Sequence, residues 1–230
     1  RFEDLVCIID TRVIAYGSDG RTLGGTGQIL VYVRWPRIEG PRDSPRVNGR
    51  LSGLTQAAVR AFLDDTATSV ERYGYTCRES VEGRCMWLQH LYEVLLATDE
   101  VLSLRNTVRR LSPGAAGESA EILTETFDLG TGLPLAVADL FDPATSWVEA
   151  VSAEAVTRLG QEPWADERRH AGAGPEAANF TRFNLTTGGL VLSFAPFSVG
   201  GSGTNTLSIT IPYRTLDGFW APDGPVARLG

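Results

Sequence analysis

Helical periodicity occurs in only two stretches of this chain, and no other feature narrows its fold as much. Val59, Phe62, Leu63, Thr66, Val70 and Tyr73 recur at three- and four-residue steps behind Ser52, which predicts an amphipathic helix over 54–72. Trp147, Val151, Ala155 and Leu159 repeat the pattern after Pro143 and stop at Gly160, which predicts a second helix. Most of what remains is strand-like or turn-forming. Residues 4–16 and 28–35 flank GSDGRTLGGTG as an N-terminal hairpin, and strand arms follow near 75–80, 85–97, 100–111 and 120–129. Three short strands, 180–185, 190–194 and 207–212, close the chain with a short helix near 214–219. Two stretches are expected outside regular structure: 35–53, with three prolines, and the polar, Gly/Pro-rich 160–178. Few helices among many strands joined by short turns define an α+β chain. The expectation is an antiparallel β-sheet with two main helices packed against it. It is read as one unit or as two small subdomains: 1–89, holding the hairpin, loop, helix and a stapled hairpin, and 90–230.

Composition excludes several chemistries. All 21 basic residues are arginine, and the only histidines are His90 and His170. Without an ε-amine there is no Walker phosphate loop, no Schiff-base enzyme and no Ser-Lys dyad. Two histidines rule out a His-rich metal site, and no ligand spacing suggests a mixed one. The net charge of −7 opposes a phosphate backbone, so nucleic acid is not an expected partner. Arg105, Arg109 and Arg110 read either as a solvated strand end or as a partner-binding patch. Arginine without lysine, amid abundant Ala and Gly, fits a GC-rich bacterial coding sequence. The sole methionine is Met86, so a processed or trimmed chain is expected, with any signal peptide or membrane anchor lying before Arg1.

Cys77 and Cys85 flank a short segment with Glu82-Gly83 as its turn. Facing each other across a hairpin, they can form a disulfide stabilising by about 2.5 kcal/mol, which implies an oxidising compartment; two reduced thiols are the alternative. Cys7 lies in an apolar run and reads as a buried small hydrophobe, or as an odd cysteine pairing with another chain.

No motif carries catalysis. Gly200-Gly201-Ser202-Gly203-Thr204 lacks the last glycine of a nucleophile elbow, and Gly25-Thr26-Gly27 lacks both the third glycine and the helix of a dinucleotide site. Asp139 with Asp142, or Glu118 with Glu121, could in principle serve as a glycosidase pair, but the two aspartates stand where aspartate caps turns and helix starts. His90 reads as a satisfied, partly buried strand residue and His170 as solvated. The sequons at Asn179 and Asn184 carry no weight in a bacterial chain. Among Trp35, Trp87, Trp147, Trp164 and Trp220, core roles are expected to dominate, and Trp164 in the polar stretch is the candidate ligand platform. No cofactor is expected.

From about residue 90 a series of pieces stands in a recognisable order. Tyr92-Glu93-Val94 leads to Val101-Leu102-Ser103-Leu104 and the Gly-rich break 113–117, then to Thr126-Phe127-Asp128-Leu129, Thr131-Gly132, Leu135 and Asp139-Leu140-Phe141. Phe180, Phe183-Asn184-Leu185-Thr186, Gly189 through Phe194, and Ile209 through Tyr213 with Leu216 complete it. In this order they resemble the extracytoplasmic domain of RsiV-type anti-sigma factors, which are lysozyme sensors, and of related secreted proteins including a mycobacterial immunogenic group. The stretch 36–72 resembles the companion N-terminal region. Ala116 stands where the family's break carries histidine, and no counterpart of the sensors' sigma-binding segment or transmembrane helix stands in these residues. Signalling therefore does not follow from the resemblance, which implies lysozyme or envelope components as the first ligands to try. Physically, the shared pieces specify a fold: Asp128 with Thr131-Gly132 turns the chain, Asp139-Leu140-Phe141 plugs apolar side chains under the second helix, and Pro212 ends a strand.

Function is accordingly expected to be non-enzymatic binding outside the cytoplasmic membrane, with a protein such as lysozyme or a cell-envelope component as ligand and Trp164, Arg105, Arg109 and Arg110 as the candidate surface. Two alternatives stand beside it: a cell-wall polysaccharide hydrolase or deacetylation accessory, and a structural subunit of an envelope complex.

Overall fold

A computed structural model of the chain describes residues 6–16, 22–23, 29–39, 45–73, 86–112, 115, 117–162, 172–195, 197–200 and 207–229. The β-rich segments at the start pair as a hairpin: β1 (Val6–Tyr16) and β3 (Ile29–Glu39) run antiparallel from Val6↔Glu39 to Tyr16↔Ile29, and β2 (Thr22–Leu23) adds to the outer side of β1. The chain then crosses over through α1 (Pro45–Tyr73) and returns as β4 (Met86–Ala97), which lies parallel to β3 from Ile29↔Met86 to Val33↔His90. β5 (Val101–Leu111), β6 (Ser119–Asp128) and the two-residue β7 (Leu133–Pro134) continue antiparallel, giving a seven-stranded mixed sheet in the order β2-β1-β3-β4-β5-β6-β7. A second sheet, β10-β9-β8, is wholly antiparallel and comprises β8 (Phe183–Leu185), β9 (Leu190–Phe194) and β10 (Leu207–Ile211). The α+β class is as expected, with α1 packed on the large sheet and α2 (Trp147–Leu159) packed on the C-terminal layer.

Three expectations are corrected. The sheet is not purely antiparallel, because a helix connecting two neighbouring strands carries the chain back to its starting edge and makes them parallel. The proline-rich 35–53 is largely regular: β3 continues through Pro36 to Glu39, and α1 begins at Pro45, nine residues before the expected start at 54. Pairing of β3 with β4 ends at Val33, so at Pro36 the strand pairs with β1 alone, the edge-like setting in which proline is tolerated in a sheet. Pro45 occupies the first helical position, which needs no N–H partner. Ser52 is therefore no cap; it lies inside α1, its hydroxyl donating to the Gly49 carbonyl.

Burial sorts the residues into three clusters. Val47, Leu51 and Phe62 on one stripe of α1 are buried against the sheet. Phe62 meets Ile29, Val31, Val33, Met86, Leu88 and Val108, while Val47 and Leu51 meet Ile38, Leu102, Leu104, Phe127 and Leu129. Each such side chain contributes about 1.5–3 kcal/mol by leaving water. In the third cluster Trp147, Val151, Ala155 and Leu159 of α2, the stripe read from the sequence, pack with the second sheet and with Leu140 and Phe141.

The opposite face of the large sheet meets this C-terminal layer at one end. Leu96 and Val101 join the third cluster, and Asn184 of β8 crosses the seam, donating to the Ser103 hydroxyl (3.0 Å) and the Leu104 carbonyl (2.8 Å). The Leu185 amide also donates to Ser103 Oγ, which shares a hydrogen bond with Thr126. Two turns fix the strands around this seam. Asp128 Oδ1 accepts from the Thr131 amide (2.8 Å), and Gly189, with φ +157°, brings its backbone so close to β10 that a Cβ would stand 2.2 Å from the Ile211 oxygen. No helix among the described residues is long and apolar enough to cross a membrane.

Candidate functional site

Strand alternation divides β3 and β4 into two sets of side chains. Ile29, Val31, Val33, Met86 and Leu88 point at α1, and the intervening Leu30, Tyr32, Arg34, Trp87, Gln89 and Leu91 point the other way. Register sets Leu30 beside Trp87, Tyr32 beside Gln89, and Gln89 beside Arg109 of β5. Farther along the same face lies the Glu93–Arg105 ion pair (2.6 Å), then a bulge between Val94 and Leu96, and then the seam with β8 at Ser103. One end of this face is thus covered by the C-terminal layer. The other end is an open groove of about 610 Å³ lined by Leu30, Tyr32, Arg34, Trp87, Gln89, Leu91 and the ion-paired Arg109 and Glu118.

A second concavity, of about 570 Å³, lies where the β4–β5 turn meets the chain's last turns. Phe141 stacks on Trp147 (4.6 Å between centroids) and on Trp220 (4.7 Å), and Tyr213 meets Trp220 edge-on at 5.7 Å. Trp220 Nε1 donates to the Tyr213 carbonyl (3.0 Å), and the Tyr213 hydroxyl donates to the Thr186 carbonyl (2.7 Å). Burial pushes the Tyr213 pKa up to about 12, so the hydroxyl stays a donor.

The residues singled out from the sequence are placed as follows. Arg105 and Arg109 lie on the grooved face, paired with Glu93 and Glu118, whereas Arg110 alternates to the helix-facing side opposite Leu88, so the three arginines form no single patch. Trp164, Cys77, Cys85 and His170 lie outside the described residues, and so does the segment 201–206. Cys7 stands opposite Ile38 in the β1–β3 pairing. Asp139 Oδ2 accepts from the Ala136 amide (2.7 Å) and Asp142 Oδ1 from the Ala144 amide (2.9 Å), the turn-capping roles their sequence settings indicate. Glu121 is exposed. His90 is fully buried, donating from Nδ1 to the Arg34 carbonyl (3.3 Å). Its burial depresses the imidazole pKa, partly offset by hydrogen bonding to the backbone. Asn184, in one of the sequons, is fully buried. Among the described residues no three His, Cys, Asp or Glu side chains converge as metal ligands would.

Sequence alone does not bring together the groove residues Tyr32, Arg34 and Trp87. The signal was present in the alternation of Leu30, Tyr32 and Arg34 with Ile29, Val31 and Val33. What was missing is the parallel pairing that sets Trp87 beside Leu30.

Fold and site together define an α+β module: a mixed sheet backed by a helix, roofed at one end by a smaller sheet and open at the other. The same fold occurs in two solved structures. A member of the DUF3298 family from Bacteroides fragilis superposes with a TM-score of 0.63 at 13% identity, covering 96% of this chain and 95% of that one. A DUF3298 family protein from Pseudomonas aeruginosa gives 0.57 at 15% identity, covering 95% and 96%. No family model matches the sequence, and no curated protein does.

Proposed function

We propose that this chain is a non-enzymatic binding module acting outside the cytoplasmic membrane, with a protein such as lysozyme or a cell-envelope component as its ligand. The open end of the sheet carries this reading. It offers Trp87 and Tyr32 over apolar Leu30 and Leu91, with Arg34, Gln89 and Arg109 among them. Aromatic and arginine side chains at the centre of a patch supply large contact area and fixed donors, the composition in which binding energy concentrates. β-strands hold these groups rigid, so little ordering entropy is lost on association. The RsiV-type resemblance of residues 90–230 supports the compartment and makes lysozyme the first protein to try, and the acidic charge of −7 favours a basic partner.

The test measures association of the full chain with immobilised lysozyme and, separately, with purified peptidoglycan fragments, for the wild type and Trp87→Ala. Loss of a central aromatic costs at least about 2 kcal/mol, so a roughly 30-fold weakening is expected with an unchanged circular dichroism spectrum. Binding to neither ligand, or equal binding by the variant, overturns the assignment.

A further inference from the structure

The concavity beside Tyr213 and Trp220 shares no lining residue with the sheet groove. Apart from the Thr187 hydroxyl and the Asp217 carboxylate, its side-chain hydrogen-bonding groups are spent inside the protein. The Thr98 hydroxyl accepts from the Glu100 and Val101 amides, and the Thr186 hydroxyl serves the turn at Gly188 and Gly189. Tyr213 and Trp220 commit their only donors to backbone carbonyls. Facing the opening are the half-buried rings, the apolar Leu96, Pro222 and Val226, and the carboxylate of Asp217, which has no side-chain partner among the described residues. Arg228, near the same rim, is already held by Glu100 and Asp128.

A neutral sugar needs several free donors and acceptors, which this site does not offer. A cation on an apolar stem needs what is there: an unneutralised carboxylate, the half-buried rings of Tyr213 and Trp220, with Trp220 covered on one face by Phe141, and an apolar wall for the stem. We infer that the Tyr213–Trp220 cleft is a binding site for an alkylammonium or guanidinium group carried on an apolar stem. Asp217 supplies the counter-charge, and the internal hydrogen bonds of the two rings preorganise the aromatic side.

The test uses the full chain, ¹⁵N-labelled, with the Trp220 indole N–H resonance assigned through Trp220→Phe. Hexylammonium, hexylguanidinium, hexanol and hexanoate are titrated at matched ionic strength. Saturable shifts with either cation are expected, at millimolar affinity suited to so small a ligand, with hexanol at least 10-fold weaker and hexanoate without effect. Asp217→Asn, retaining a dispersed spectrum, is expected to weaken the cations at least 10-fold. Stronger response to one head group identifies the charge carrier, and either one supports the site. Equal saturation by hexanol, cation shifts unchanged in Asp217→Asn, or no saturable shift overturns it.

Discussion

Asn184 illustrates how single residues hold this molecule together, because its amide joins β8 to β5 through partners about 80 positions earlier in the chain. A sequence shows the Asn-Leu-Thr triplet but not those partners, so only its place in the order of shared pieces was legible. Local chemistry was easier to read. Asp139 and Asp142 bond to amides two or three residues away, and a capping aspartate carries that signal in its own neighbourhood. His90 falls between these cases: its strand position was legible, its complete burial was not. Because burial holds its folded-state pKa below the ordinary value near 6.5, the unfolded chain takes up a proton that the folded one resists. This contribution to stability is intact above pH 6.5 and declines as pH falls toward the folded pKa. Urea midpoints at pH 7.5 and 5.0 should therefore differ more for the wild type than for His90→Leu, with His170 and the carboxylates common to both. An equal pH dependence in the two proteins would refute the assignment.

Among the elements, α1 departs most from what periodicity indicated. Its second half carries the apolar stripe, whereas its first turns contain Pro45, Gly49 and Gly53, residues that read as a break in isolation. Tertiary burial overrides that weak propensity, since Val47 and Leu51 are inserted between Ile38 and Leu104, and Asn48 ties the turn to β3 by accepting from the Ile38 amide and donating to its carbonyl. The two glycines still weaken the helix through backbone entropy. A Cβ built at Gly49 or Gly53 meets nothing within 4 Å, so alanine at either position gains helix propensity without a clash. Gly49→Ala and Gly53→Ala should each raise stability by about 0.5–1 kcal/mol, read as a higher urea midpoint at unchanged m-value. A loss of stability in either variant would mean that α1 does not run unbroken through its first three turns.

At the scale of the molecule, the question is whether 90–230 folds by itself. The proposed boundary at 89/90 falls inside β4, whose residues 86–90 pair with β3 and whose residues 87–97 pair with β5. Cutting there removes Met86 and Leu88 from the sheet and removes α1, so Leu102, Leu104, Val108 and Phe127 lose the layer that buries them. Glu125, buried beside these residues, also loses Arg50, which holds it at 2.7 Å. Exposing an apolar face of this size on an open sheet edge invites association rather than a stable monomer. The C-terminal layer depends on the same sheet, because Leu96 and Val101 complete its core and Ser103 anchors β8. The full chain should therefore unfold in one transition, with tryptophan fluorescence and far-ultraviolet circular dichroism coinciding, while the isolated 90–230 fragment should be aggregated or lack amide dispersion. A monomeric 90–230 fragment with a cooperative transition of its own would show that α1 and the N-terminal hairpin are an addition to a self-sufficient unit, and the sheet groove, built from β3, β4 and β5, would then belong to the junction of two domains.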